Sequence, residues 1–559
     1  MSVFVLLILP TALVFTSALL NHANGPYWLT SNSDPGYTYL LNSIALTESR
    51  QTGTNGHPGT TLQILGAAVL EISHALNFSE KDNLEISVLK NPEFYLTIIN
   101  IVVLTLNTLL LFMIGIITLK LTKNIWASLL LQFSPFLSHT ILIYGLPRVS
   151  TDPLLLFSGL LFVLILTKMA YNKNLAESAH WYMIALALVA GFGVATKFIF
   201  APLLIIPLIV LPKLRNKIGF LFLSGLSFVL WTWPIISQYE NLFNWYYRIL
   251  THGGTYGLGA SGIIAAEGYS QEIRDLFFEN ILFFVIWLVS AGFIFCFGLF
   301  LVRDNKGARK TVWQEISFKI LTAVTVAQMF LILVTIKHPA GRYLFPAMSL
   351  SGFTLFLMFI YLQRRDYLNR FNIKKMIVFT GIILIVSGAW RMVEIRNTFL
   401  EDVQIREEAL AVYNKTQSEY KDYLKIYCIF LSSSPSGALA FGNYYVNEGL
   451  YSESLQKIYG DVYFYNPFNK KFYDWTREFS IEDKIIKGDG SKIVLHFPSL
   501  REYGDTLVCH KGSILHLKDV FEGQYETLYV LEGITLMWDK DEQPINPPSP
   551  YPHFSNLSE

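Results

Sequence analysis

The sequence predicts a polytopic α-helical membrane protein of about eleven spans, followed by a small α/β domain outside the membrane. Three observations carry this. Of the 559 residues, 52% are hydrophobic and only 15% are charged, against about 25% charged in an average soluble domain. The mean hydropathy is +0.40. Apolar runs of membrane-crossing length recur from the N-terminus to Trp390 and then stop. With 43 Lys+Arg, 42 Asp+Glu and a net charge of +1, the composition excludes a disordered chain and a disulfide scaffold. It also excludes a nucleic-acid binder working through bulk positive charge, so no nucleic-acid partner is expected.

The predicted spans, in order, are Phe4–Leu20, Thr97–Leu119, Ile125–Ile143, Pro153–Thr167, Trp181–Ala195, Phe198–Leu211, Ile218–Ile236, Ile281–Val302, Ile316–Ile336, Tyr343–Leu362 and Met376–Trp390. Phe198–Leu211 and Met376–Trp390 are short for a crossing of about 20 residues. The first span lacks the basic flank of a cleaved signal and reads as a retained anchor.

Charge fixes the expected orientation. With the N-terminus in the cytoplasm, the inside turns carry Lys120 and Lys123, Lys168 and Lys173, and Lys213, Arg215 and Lys217. Later inside turns carry Arg303, Lys306, Arg309 and Lys310, then Arg364, Arg365, Arg370, Lys374 and Lys375. The short outside turns hold only Arg148, Lys197, Lys337 and Arg342, the bias that the positive-inside rule describes. The expectation is a multi-pass plasma (inner) membrane protein. Residues 1–392 form its membrane domain, with outer segments at 21–96 and 237–280, and residues 393–559 form a soluble extracytoplasmic domain.

That tail is rich in charge and Tyr. Ile493–Phe497 and Thr527–Leu531 read as strands, and Glu408–Tyr423 has helical spacing. It holds Cys428 and Cys509, which either pair in an oxidising compartment or remain as buried thiols. Cys296 reads as packing within a span.

In the first outer segment, Tyr37, Leu40, Leu41, Ile44 and Ala45 make one apolar helical face after Asp34-Pro35, a pattern suited to the membrane surface. Asp34 reads either as a helix cap with Pro35 at the first helical position or as a carboxylate at the mouth of a cavity. A second apolar helix is expected from Thr60 to Leu76, after Gly56-His57-Pro58. Asp152-Pro153 repeats the cap pattern, with Arg148 beside it. Trp245, Tyr246, Tyr247 and Arg248, followed by the glycines from Gly253 to Gly262, read as a mobile binding loop or an ordinary irregular one.

Asp34, His57, Arg148, Asp152, Lys197, Lys337, His338 and Arg342 come from distant parts of the chain, and the expected topology puts all of them at the outer interface. A transporter tends to place its ionisable groups near the midplane. Cations at the interface suit a lipid-linked phosphate, whose charge they offset. A neighbouring carboxylate suits deprotonation of an acceptor hydroxyl.

Four features resemble the GT-C membrane glycosyltransferases, in the branch that contains protein O-mannosyltransferases and lipid A aminoarabinose transferases. They are Asp34 after the first span, Gly56-His57-Pro58, Ser150-Thr151-Asp152-Pro153, and Gly193 to Phe198 together with His338 to Pro346. The resemblance spans about Phe4 to Trp390 and implies inverting transfer of a sugar from a polyprenyl-phosphate donor to a lipid, glycan or protein acceptor. On it, Asp34 and Asp152 are the catalytic carboxylates. Lys197, Arg342, Arg148 and Lys337 meet the donor phosphate, while His57, His338 and Tyr343 line the pocket. No cofactor is required. A divalent metal shared by Asp34 and Asp152 is the one candidate, and Pro35 and Gly59 stand where the family often has a second acid and a second Pro. The competing readings are a lipid-linked glycan flippase and a ligase or polymerase acting on diphosphate-linked oligosaccharides.

Overall fold

Eight helices are long and apolar enough to cross a membrane among the described residues of the computed structural model: Val3–Asn24, Pro92–Thr122, Asp152–Ala170, Leu175–Thr196, Leu214–Thr251, Ile281–Gly298, Ile316–Lys337 and Gly341–Arg364. The structure describes residues 2–53, 56, 58–77, 81–253, 269–300, 315–364, 373–447, 449–467, 470–476, 478–479, 492–498, 506–508 and 514–535. The chain is an integral, polytopic helical membrane protein with a C-terminal α/β region. His57, Cys509, the glycines from Gly254 to Gly262 and the basic residues Arg303, Lys306, Arg309, Lys310, Arg365 and Arg370 lie outside the described residues.

Three expected spans take other forms. Ile125–Ile143 is not one helix: α-helix Ile125–Gln132 gives way to a 3-10 turn at Ser134–Leu137 and a π-helix at Thr140–Gly145. Pro135 ends the regular ladder because it lacks an N–H and crowds the preceding turn. The carbonyls released there find a partner. Arg391, only 3% exposed, donates to Phe136 O at 3.2 Å and Leu137 O at 3.1 Å and pairs with Glu394. Glu394 in turn faces His139 Nδ1 at 3.2 Å. Phe198–Leu211 begins as a 3-10 helix, Phe198–Leu204, and continues as a short α-helix, Ile205–Val210; Pro202 and Pro207 prevent a continuous ladder. Met376–Trp390 is the first part of a 46-residue helix, Ile373–Ser418. That helix passes through position 392 unbroken and supplies the helical spacing read near Glu408.

The first outer segment also differs from its surface reading. Helix Ser33–Thr47 is buried on every face from Gly36 to Ala45, because it lies between helix Thr60–Leu76 and helix Pro435–Tyr444 of the C-terminal region. Gly442 allows the second contact, since a Cβ there would meet Tyr37 O at 2.8 Å. Further ties are Asn42 Nδ2 to Tyr445 O at 3.3 Å, Ser454 Oγ to Glu85 at 2.5 Å and Tyr459 Oη to Leu89 O at 2.7 Å.

Glu93 braces the start of this segment. Its carboxylate accepts from Tyr27 N at 2.7 Å, Trp28 N at 3.0 Å and Tyr37 Oη at 2.7 Å. Glutamine can replace only one of the two acceptor oxygens, so Glu93→Gln is expected to cost about 1.5–3 kcal/mol, the worth of a charge-assisted hydrogen bond. Thermal unfolding in nanodiscs measures this; an unchanged midpoint would remove Glu93 as a brace.

The C-terminal sheet has eight strands in the order β4-β3-β2-β1-β5-β8-β7-β6. They are β1 Leu424–Cys428, β2 Tyr463–Asn466, β3 Lys471–Tyr473, β4 Glu478–Phe479, β5 Ile493–Pro498, β6 Thr506–Val508, β7 Ile514–Glu522 and β8 Glu526–Thr535. β1 runs parallel to β2 and β5, and the remaining pairs are antiparallel. Both predicted strands are present. Glu408 of the long helix accepts from Tyr525 N and Glu526 N at 2.6 and 2.8 Å, which ties the helix to the β7–β8 turn. Cys428 is a free, buried thiol that donates to Phe430 O at 3.0 Å, so the paired alternative does not hold for it. Cys296 is also free and is exposed on its helix rather than packed.

Candidate functional site

The turn 146–153 is set by side chains from two helices, Val3–Asn24 and Pro92–Thr122. Asn21 Nδ2 donates to Pro147 O at 2.8 Å, Asn100 Nδ2 to the same carbonyl at 3.0 Å, and Asn107 Nδ2 to Pro153 O at 3.0 Å. Asn100 and Asn107 lie seven residues apart on one face of helix Pro92–Thr122. A polar group inside a membrane helix is costly unless bonded, and here each one fixes a carbonyl that the turn exposes. The result holds Arg148 and Asp152 in place. Arg148 is half-buried, with Nη2 3.2 Å from Ser31 Oγ. Nε of Arg148 is buried without a hydrogen-bond partner among the described residues, and Arg148 lines a small cleft with Asn100, Leu146 and Ser150.

Asp152 is the first residue of its helix, and Thr151 takes the cap position. The Asp152 carboxylate turns instead to Lys197, at 3.0 Å from Nζ. Lys197 ends helix Leu175–Thr196 in an extended conformation and forms a backbone bridge with Pro58 of the first outer segment. Its Nζ also lies 5.7 Å from the centre of the Tyr343 ring, and the Arg342 guanidinium approaches the same ring at 5.4 Å. Tyr343 is thus flanked by both cations, an arrangement favoured by the negative face of the ring.

Asp34 has the extended dihedrals of a cap residue, φ −102° and ψ 121°. Its carboxylate makes no capping hydrogen bond among the described residues. The side chain is exposed to solvent yet surrounded by protein on most sides, which is the environment of a recess. Loss of hydration there pushes its pKa above the ordinary carboxylate range. Arg342 and, more weakly, Arg148 oppose the shift. Tyr39 is influenced by both carboxylates. Its hydroxyl bonds Thr151 and is acted on by Asp152 and Asp34, and burial raises its pKa. Gly59 accommodates the ring: its φ is +68°, and a Cβ would meet Tyr39 Oη at 2.6 Å.

Asp34, Arg148, Asp152, Lys197, Arg342 and Tyr343 therefore form one connected group. Lys337 and His338 stand apart from this group. His338 bonds the backbone of Ile249, and burial lowers its pKa. Lys337 Nζ has no hydrogen bond among the described residues. Both lie at the C-terminal end of helix Ile316–Lys337, where Tyr269 Oη of segment 237–280 bonds Ile336 O at 2.8 Å.

Sequence reasoning missed Tyr39 and Asp402. Asp402 lies on the long helix beyond the expected boundary and is the carboxylate that acts most strongly on Arg148. Burial pushes it up to about 6 against the pull of Arg148. Nothing in the sequence around Asp402 marks it, because only the continuation of the long helix brings it near Arg148. Trp245 and Tyr246, read as part of a loop, lie on helix Tyr239–Thr251.

A divalent metal does not fit the residues present. Asp152 is committed to Lys197, and two guanidinium groups act on Asp34. Among the described residues, no group of three or more His, Cys, Asp or Glu is arranged to hold a metal.

No family model matches the chain, and no curated protein matches it. Among solved structures, it is similar to ArnT from Cupriavidus metallidurans bound to undecaprenyl phosphate. The TM-score is 0.45 at 11% identity, over 93% of this chain and 97% of that one.

Proposed function

We propose that the protein is an integral-membrane glycosyltransferase. It moves a sugar from a polyprenyl-phosphate carrier to a hydroxyl-bearing lipid, glycan or protein acceptor at the outer face of the plasma (inner) membrane, with the N-terminus in the cytoplasm. Residues 1–392 would hold the chemistry, with Asp402 of the C-terminal segment added to it. The observation that carries the reading is a recessed carboxylate of raised pKa, Asp34, facing Arg342 and Arg148, next to the Lys197–Asp152 pair.

In this reading Asp34 accepts the acceptor's hydroxyl proton. The oxygen attacks the anomeric carbon from the face opposite the phosphate, the glycosidic bond forms with inversion, and the bond between that carbon and the phosphate oxygen breaks. Both electrons of the broken bond leave with the polyprenyl phosphate. Arg342, Lys197 and Arg148 offset the charge that gathers on the departing phosphate. Asp152 keeps the Lys197 ammonium oriented.

The test is incubation of the purified protein in nanodiscs with radiolabelled polyprenyl-phosphate sugars and an extract of candidate acceptors. The expected products are a labelled glycoside and a prenyl monophosphate. Transbilayer movement of the labelled lipid without a new glycoside would replace this reading with a flippase, and release of a prenyl diphosphate would replace it with a ligase.

A further inference from the structure

The hydroxyl of Tyr246 is buried and has no hydrogen-bond partner among the described residues. A buried, unpaired hydroxyl is unfavourable, and phenylalanine at this position would avoid the cost. The ionisable groups acting on Tyr246 are Tyr39 and Tyr343. Tyr39 is influenced electrostatically by Asp152 and Asp34, and Tyr343 is flanked by Lys197 and Arg342. The Tyr246 ring lies 4.2 Å from that of Phe198 and 5.1 Å from that of Trp245, centre to centre. Flat aromatic faces with one unspent donor beside a phosphate-binding cluster are the elements of a sugar subsite.

We propose that Tyr246, with Tyr39, Trp245 and Tyr343, forms the subsite for the sugar of the donor, and that the Tyr246 hydroxyl donates to a sugar oxygen. The assignment rests on the transferase reading for the identity of the ligand. Because the hydroxyl is shut off from water, entry of the sugar includes a small outward shift of helix Tyr239–Thr251. The outer face of that helix, Phe243, Tyr247 and Leu250, is exposed and has little protein packed against it, so the shift breaks few protein contacts there.

Binding separates this assignment from the catalytic one. Wild-type and Tyr246→Phe proteins in nanodiscs are titrated with polyprenyl phosphate alone and with a panel of polyprenyl phosphates bearing glucose, galactose, mannose or a pentose. At least one sugar-bearing lipid is expected to bind the wild type more tightly than the bare lipid. Tyr246→Phe is expected to weaken that binding about three- to tenfold, the worth of one neutral hydrogen bond. Its affinity for bare polyprenyl phosphate and its melting temperature stay as in the wild type or better. Equal affinities of the two proteins for every sugar-bearing lipid would overturn the assignment. So would an equal loss for the bare lipid, a lower melting temperature, or a panel in which no sugar improves binding. A sugar-dependent gain that requires Tyr246, without transfer to any acceptor, would leave the subsite standing and remove the transferase reading.

Discussion

Asp34→Asn is expected to lower transfer by about 10²–10⁴-fold, the usual contribution of a general base, without loss of fold. The amide keeps the shape and removes the proton acceptor. The pKa direction adds a second, independent signature. Burial raises the Asp34 pKa against the pull of Arg342 and Arg148, so the ionised carboxylate is less at ease in the fold than in the unfolded chain. Its contribution to stability is therefore full below the unfolded value, about 3.9, and is lost as pH rises through the folded value. Asn does not titrate. The variant should match or exceed the parent's melting temperature at neutral pH and give up that advantage in acid. The parent's rate should fall as pH drops through a value above the ordinary carboxylate range, a limb that the variant lacks. A variant that unfolds early, or one that keeps full activity, would take Asp34 out of the mechanism.

Breaking the Lys197–Asp152 pair is the second large effect. The partners are 6% and 16% exposed, with Nζ 3.0 Å from the carboxylate. Replacing Lys197 with Met leaves Asp152 in a poorly hydrated site without its counter-charge, at a cost of about 3–5 kcal/mol. Asp152→Asn leaves the ammonium in the same position. The double variant, Lys197→Met with Asp152→Asn, buries no lone charge and should recover much of the lost stability while remaining deficient in donor binding. The measurement is a double-mutant cycle on thermal unfolding in nanodiscs, with affinity for polyprenyl phosphate determined alongside. Additive stability losses would show that the pair is not coupled. Recovery of donor affinity in the double variant would remove Lys197 from the phosphate site.

Most of the membrane helices were legible because a span must satisfy its own backbone while presenting apolar side chains to lipid, and both demands are local. Thr97–Leu119 and Ile316–Ile336 lie within observed helices Pro92–Thr122 and Ile316–Lys337 for this reason. Ile125–Ile143 was misread because a buried segment is apolar whether or not it is helical. Pro135 was the visible warning, and Arg391, 254 residues away from Leu137, supplies the missing partner. Helix Ser33–Thr47 looked like a surface helix because its apolar face was visible in the sequence. The other face is buried by the C-terminal region, through a contact that Gly442 permits.

The sequence alone determined that this chain crosses a membrane many times, because hydropathy is a property of each segment by itself. It also marked Asp34, Arg148, Asp152, Lys197 and Arg342, because charged residues at span ends are few and conspicuous. Tertiary structure alone decided which of them meet. It paired Lys197 with Asp152, set Arg342 before Asp34, left Lys337 and His338 apart from the group, and brought in Asp402 from a segment that looked unrelated. Electrostatic and hydrogen-bond partnerships depend on distances of a few ångströms between residues far apart in the chain, and those distances exist only once the helices have packed.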